Sequence, residues 1–307
     1  MSKLPSDRRN FIKHVTLAAG FASVPILGHA VPAKQKKLFE ISLAQWSLHR
    51  RIKSGKLDPL DFARYTKNTF DIHAIEYVNQ FYADTLSDKL VKELHTRATG
   101  EGVKSLLIMC DNEGSLGDPD KKARAKAASN HRRWADAAHA LGCHSIRVNA
   151  HSAGSRTEQM QYVADGLNQL ADYCDKIQIN VIVENHGGLS SDGQWLSEVM
   201  KLVNRPRVGT LPDFGNFVID RETGKRYDKY KGVKELLPWA KALSAKGYSF
   251  NGKGEEREID FYRMMKMSVQ AGYSGYVGIE YEGENSDEVQ GIIKIKTLLE
   301  SVHSKLA

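Results

Sequence analysis

From residue 38 onward the sequence alternates short apolar runs with longer amphipathic ones, eight of each, and nothing else in the chain constrains its fold as strongly. The short runs fall at 39–45, 72–78, 104–110, 145–149, 180–184, 208–211, 242–246 and 276–281. Most are β-branched or aromatic and bounded by Gly, Asp or Asn, as buried strands are. The longer segments carry helix starts: Asp58-Pro59 sets a cap before a proline, and Thr85-Leu86-Ser87-Asp88 opens the next helix. Residues 157–177 keep Met160, Val163, Leu167, Leu170 and Tyr173 on one stripe, and 286–306 do the same with Val289, Ile292, Ile293, Ile295 and Leu298. Both patterns predict helices that cover a sheet. Eight βα units with no Pro/Gly/Ser linker between them predict an α/β fold, a single (β/α)8 TIM barrel over residues 34–307, rather than an open doubly wound sheet. No glycine-rich phosphate fingerprint is present to favour the open form.

The first 33 residues read as a targeting segment and linker. Ser6-Asp7-Arg8-Arg9-Asn10-Phe11-Ile12-Lys13 resembles the twin-arginine export motif and runs into a modestly apolar stretch at 15–27, with cleavage expected after Ala30 or Ala33. The expected partner is the twin-arginine export machinery, and the expected location is the periplasm. An uncleaved tail or anchor is the alternative, although the stretch is short for a membrane span. The formal charge is +7, of which this segment holds +3. The remaining charge is interspersed with acids, so no nucleic-acid partner is expected. Cys110, Cys143 and Cys174 form no C-x-x-C pair and read as buried spectator thiols.

In a barrel, chemistry belongs at the C-terminal ends of the strands. There the sequence is acidic. In Val181-Ile182-Val183-Glu184-Asn185-His186-Gly187-Gly188 the valines suit the helix layer, leaving Glu184 and His186 on the inward face. The sixth strand ends in Leu211-Pro212-Asp213-Phe214-Gly215-Asn216, with Asp213 inward; the eighth ends in Gly278-Ile279-Glu280-Tyr281-Glu282-Gly283, with Glu280 and Glu282 inward. Three carboxylates converging from these strands would repel one another unless a cation neutralises them, and all-oxygen donors suit Mg2+ or Mn2+ better than Zn2+. Gln45 and Trp46, Glu76 and Asn79, Arg147 and Asn149, and Asn216 stand at other strand ends as candidate substrate contacts, with Glu76 and Asn149 favoured by parity.

These three segments, in this order and spacing, resemble the xylose-isomerase-like barrel superfamily of sugar (phosphate) isomerases and epimerases. Ile75-Glu76-Tyr77-Val78 and Ile146-Arg147-Val148-Asn149 support the likeness, which runs from about Leu38 to the C-terminus. The resemblance implies a divalent metal held by Glu184, Asp213 and Glu280 together with a histidine from the seventh strand. That histidine is missing. The strand reads Ala242-Leu243-Ser244-Ala245-Lys246-Gly247-Tyr248, so Ser244 stands about where the imidazole would be, and a hydroxyl is a weak ligand. Lys246, one inward position further, is a candidate electrophile or balancing cation.

The resemblance further implies proton movement next to a carbonyl of a keto-sugar or related carbohydrate. Glu184 and Glu280 are the candidate acid/base pair, Lys246 the stabilising cation and His186 a partner for a substrate hydroxyl. Elimination from a 3-oxo-glycoside would use the same proton abstraction. A non-catalytic sugar-binding barrel would account for the missing histidine without new chemistry. The zinc endonucleases of the same superfamily fit poorly, because no histidine occurs between His186 and His303. A homo-oligomer is left open.

Overall fold

The computed structural model describes residues 38–284 and 287–307, so the targeting segment inferred for residues 1–33 and the helix start at Ser286 lie outside the described residues. Eight parallel strands carry the fold: β1 (Glu40–Ala44), β2 (Ala74–Val78), β3 (Lys104–Met109), β4 (Ser145–Val148), β5 (Asn180–Glu184), β6 (Val208–Leu211), β7 (Leu243–Gly247) and β8 (Tyr276–Tyr281). They are hydrogen-bonded in the order β6, β5, β4, β3, β2, β1, β8, β7. The remaining seam, between β6 and β7, is joined by bridge pairs of Thr210 with Ala240 and Asp213 with Ser244. There the Ser244 amide donates to the Pro212 carbonyl and the Phe214 amide to the Ser244 carbonyl, each at 3.0 Å. The same seam that closes the sheet therefore fastens Asp213 beside Ser244.

Each strand is followed by a helix: α1 (Phe62–Phe70), α2 (Asp88–Gly100), α3 (Lys121–Ala140), α4 (Arg156–Cys174), α5 (Gly193–Val203), α6 (Lys229–Leu236), α7 (Phe261–Gln270) and α8 (Glu288–Leu306). The side chains of Ser87, Asp120, Ser155, Asp192, Asp228, Asp260 and Asp287 accept first-turn amides of α2 to α8. Asp58 caps a short turn, Pro59–Asp61, that leads into α1. Such oxygens satisfy amides that have no partner within the helix, which is why short polar residues mark these starts.

Strand parity sorts the core into two layers. Leu43, Ile75, Tyr77, Val181, Val183, Val277 and Ile279 pack outward against the helices, whereas Ala44, Val78, Leu107, Met109, Ile182, Leu211 and Ala242 fill the barrel interior. Burying each Val, Leu or Ile is worth about 1.5–3 kcal/mol. A one-residue slip would exchange the two sets and expose the carboxylates to the helix layer, so the register of every strand is strongly specified.

The strands expected from sequence are present, some trimmed by one or two residues at an end. The stripe of α4 holds, with Val163, Leu167 and Leu170 fully buried. In α8 one expectation fails: Ile293 is 37% exposed, while Ile292, Ile295, Leu299 and Val302 make the buried face. Ile293 follows Ile292 directly and so points about 100° away from it. Two pieces had no forecast, a short helix at His49–Lys53 and a hairpin pairing Val218–Asp220 with Lys225–Arg226. The three cysteines are free and buried, and burial pushes each thiol up. Among the described residues no helix is long and apolar enough to cross a membrane.

Candidate active site

Above the interior apolar layer the inward positions turn polar. Glu184 ends β5, Asp213 follows β6, Ser244 and Lys246 lie on β7, and Glu280 lies on β8; all five side chains are buried. One carboxylate oxygen from each of Glu184, Asp213 and Glu280 lies within 4.8 Å of the others. Local structure holds each acid in place. Asn185 clips the Asp213 peptide from both sides, its Oδ1 accepting the Asp213 amide at 2.7 Å and its Nδ2 donating to the Asp213 carbonyl at 3.0 Å. Asp213 Oδ1 accepts the amides of Gly215 and Asn216 at 2.8 and 2.7 Å, and Asn216 Nδ2 donates to Glu184 Oε1 at 2.9 Å. Gly187 and Gly188, at φ 83° and 59°, turn the chain away after His186.

Ser244 Oγ lies 2.7 Å from Asp213 Oδ2 and 3.0 Å from Glu280 Oε2. A hydroxyl has one proton, so it serves only one of them at a time. Lys246 Nζ lies 2.8 Å from Glu280 Oε1, 3.0 Å from Glu282 Oε2 and 3.8 Å from Asp213 Oδ2. Gly215 leaves room for this arrangement, since a Cβ there would come within 2.5 Å of the Tyr248 hydroxyl and 2.9 Å of Lys246 Cγ. On the other side Arg147 sits between two acids, with Nη1 2.8 Å from Asp111 Oδ1 and Nε 2.8 Å from Glu184 Oε2. The second contact is an ion pair without hydrogen-bond alignment, and both atoms are buried without a hydrogen-bond partner.

The electrostatics follow. Burial, resisted by Arg147 and reinforced by Glu280, raises Glu184 to about 7. Burial also raises Asp213 to about 7, against the pull of Lys246 and with the repulsion of Glu184 and Glu280. Burial alone would lower Lys246, yet Glu280, Asp213 and Glu282 hold it well above its usual value. Asp111 goes the other way, because the Arg147 ion pair and hydrogen bonds from Arg147 and Asn149 overcome its burial and keep it well below the usual carboxylate range. Glu282 is lowered too, its burial outweighed by Lys246 and by the indole of Trp46, whose Nε1 donates to Glu282 Oε1. Burial lowers His186, so the imidazole is neutral near pH 7.

A cavity of about 440 Å³ opens over this cluster, and Trp46, Arg147, Asn149, His186, Glu280 and Glu282 are among its walls. Four of the expected substrate contacts, Trp46, Arg147, Asn149 and His186, thus reach it, and His186 Nδ1 is buried without a hydrogen-bond partner. Glu184 and Asp213 stand behind the lining, in contact with Arg147 and Ser244. Four other candidate contacts, Glu76, Asn216, Gln45 and Asn79, are not among its walls. Glu76 is enclosed one inward position below Glu280: its Oε1 accepts from Ser42 at 2.6 Å and its carboxyl fills the space that a Cβ on Gly278 would occupy, so it does not line the cavity. Asn216 spends its side chain on Glu184. Gln45 and Asn79 brace the frame, Gln45 through Tyr82 and the Val78 amide and Asn79 through the backbone of Asp111. Asp111 and His151 also line the cavity and were missed. Asp111 follows β3 on the inward parity of Leu107 and Met109, so the rule that found Glu184 would have found it.

The donor set suits a divalent cation. Glu184, Asp213, Glu280 and Glu282 face two cationic side chains, Lys246 and Arg147, the latter shared with Asp111, and Glu184 Oε2 has no hydrogen-bond donor. Buried like charges of this kind call for a compensating cation or for protonation. Among the described residues this is the one group of three His, Cys, Asp or Glu side chains close enough to share an ion.

Fold and site together define a (β/α)8 barrel that gathers three carboxylates at its mouth. A family model of the xylose isomerase-like TIM barrel matches residues 68–301, and the chain belongs to that family. No curated protein sequence matches the chain. Among solved structures, the IOLI protein with a bound zinc atom has a TM-score of 0.67 at 14% identity, covering 88% of this chain and 99% of that one. A xylose isomerase-like TIM barrel protein from Mycobacterium smegmatis in complex with magnesium has a TM-score of 0.66 at 16% identity, covering 88% and 98%. D-psicose 3-epimerase in the presence of D-fructose has a TM-score of 0.66 at 13% identity, covering 87% and 99%. At these identities the likeness speaks for the fold alone.

Proposed function

We propose that the chain is a sugar isomerase- or epimerase-like enzyme that moves a proton at the carbon beside the carbonyl of a keto-sugar or related carbohydrate. One observation carries this reading: Glu184 and Glu280 converge with Asp213 to within 4.8 Å at the barrel mouth, and Glu184 is raised to about 7. A carboxyl poised near neutrality can both take and return a proton. Glu280 meets the cavity directly and Glu184 stands behind Arg147, which lines it; these two are the acid/base pair. Lys246, held against Glu280, is the fixed positive charge for a developing oxyanion. Neutral His186, Asn149 and Arg147 orient substrate hydroxyls, and Trp46 offers an apolar face to the ring. A divalent cation held by Glu184, Asp213 and Glu280, Mn2+ or Mg2+ in preference to Zn2+, would polarise the carbonyl oxygen. A sugar substrate is supported by the epimerases among the structures of like fold.

A second reading has its own support. Lys246 and Ser244 already satisfy Glu280 and Asp213 internally, as they would in a sugar-binding barrel without turnover. Incubation with keto-sugars and oxidised glycosides in D2O, after elemental analysis of the protein, separates the two. Deuterium wash-in that is lost in Glu184→Gln or Glu280→Gln supports proton transfer; wash-in unchanged in both variants removes the assigned roles. Elimination from a 3-oxo-glycoside shares this step and is told apart by its product. The Ser6–Lys13 segment of the sequence supports twin-arginine export to the periplasm, with a mature barrel from about residue 34. Cell fractionation of wild type and an Arg8→Lys, Arg9→Lys double variant tests it, and a periplasmic pool undiminished in the variant would reject that route.

A further inference from the structure

The barrel mouth holds a second cavity beside the first. It has a volume of about 690 Å³, and its walls include His49, Tyr248, Ser249, Phe250, Glu282 and Lys294. All of these except Lys294, which lies on α8, come from the segments that follow β1, β7 and β8, so the cavity opens at the same end of the barrel as the proposed active site.

One thin partition stands between the two. Glu282 lines both cavities. Trp46 lines the first and His49 the second, and their rings stack in parallel with centroids 4.6 Å apart and planes 11° from each other. The indole donates to Glu282, whose other oxygen takes Lys246. The wall of one cavity is thus the back of the other, and Lys246 and Glu280 lie at its foot. Tyr248 joins the second cavity to the acids: its hydroxyl lies over Gly215, and the charges of Asp213, Glu282 and Glu280 add to its burial in raising its phenol.

We infer that the two cavities are adjoining compartments of one site, and that the substrate is a glycoside or other two-unit carbohydrate that straddles the mouth-side edge of the Glu282 partition, with one unit over the carboxylates and the other against Tyr248 and Ser249. This rests on the carbohydrate reading above and adds the size of the substrate to it. Each volume falls in the range of about 300–1,000 Å³ usual for small-molecule sites. The second compartment mixes Arg50 and Lys294 with Glu258, Glu282 and Glu284, a balance that selects a neutral hydroxylated unit over a phosphate. The phenol of Tyr248 and the hydroxyl of Ser249 offer it hydrogen bonds beside an aromatic wall.

Calorimetric binding to the full chain tests this with methyl glucoside and methyl galactoside against cellobiose, maltose, lactose and sucrose. At least one disaccharide should bind about tenfold tighter than the methyl glycoside of its own sugar, as a second filled subsite requires. Ser249→Trp, which fills the second compartment, should bring the pair within about twofold and leave the methyl glycoside unchanged. Lys294→Trp, placed on an exposed helix surface, provides the same occlusion should the first variant misfold. Equal wild-type affinities for the two sugar sizes, or an advantage that survives both occlusions, would overturn the inference while the carbohydrate reading stands. If none of these sugars binds, this inference falls, while the carbohydrate reading is decided separately by the D2O wash-in with keto-sugars and oxidised glycosides.

Discussion

Lys246 carries the charge balance of the mouth, since it is buried against Glu280, Glu282 and Asp213. Removing one partner of a buried ion pair leaves the others uncompensated, so Lys246→Met should cost about 3–5 kcal/mol at neutral pH. Millimolar Mn2+ should return part of that, because a bound dication replaces the lost charge. Denaturant melts with and without the ion check both points, and a loss below about 1 kcal/mol would mean that protons already neutralise the acids. Glu76 makes a separate prediction. Burial, with the nearby charges of Glu280 and Glu184 and against the Ser42 hydrogen bond, raises it from 4.5 to about 8. The folded state keeps a proton that the unfolded chain releases above pH 4.5, so this stability is complete below pH 4.5 and lost as pH rises through about 8. Glu76→Gln should flatten the fall in stability between about pH 5 and 8, and a slope identical to wild type would place the carboxyl in a wetter setting.

At the scale of elements, the space between β2 and β8 is shared by one carboxyl and one missing side chain. A Cβ on Gly278 would lie 2.5 and 2.6 Å from the Glu76 carboxylate oxygens. Gly278→Ala should therefore destabilise by about 1–3 kcal/mol, the cost of overpacking a core. The same change in a Glu76→Ala background should cost much less, and a double-mutant cycle on chemical melts measures the difference. Equal costs in both backgrounds would show that the strand relaxes around the methyl group. Helix α4 offers a control away from the mouth. Ser155 and Glu158 form a reciprocal capping box. Ser155→Ala should cost about 1 kcal/mol and leave ligand binding unchanged, since it touches only the helix start.

For the whole molecule, closing the sheet is what turns scattered acids into one site. Glu184 and Asp213 compete for protons and for a cation with the same oxygens, and both sit at about 7 without one. Affinity for Mn2+ or Mg2+ should therefore fall as pH drops through about 7, and titration calorimetry at about pH 6, 7 and 8 should show protons released on binding. Affinity that does not change over that range would place the ion elsewhere. Much of this was legible in the chain. The interior core and Glu184, Asp213, Glu280, Ser244 and Lys246 all follow from period-two parity once eight strands are assumed. Glu76 was misplaced because parity gives a face but no height: it is inward, yet one position below the mouth. Ile293 was misjudged because apolar residues crowd that turn and a helix buries only one side.

The sequence by itself determined the βα alternation, the helix starts and the face that each strand turns inward, because all of these depend on residues a few positions apart. Only the tertiary structure decided which groups meet: Ser244 bridging Asp213 and Glu280 across the closing seam, Arg147 between Asp111 and Glu184, and Glu282 forming one wall of two cavities. Those side-chain contacts join residues more than thirty positions apart. Their existence depends on strand height and curvature around the barrel, and no local pattern in the chain encodes either quantity.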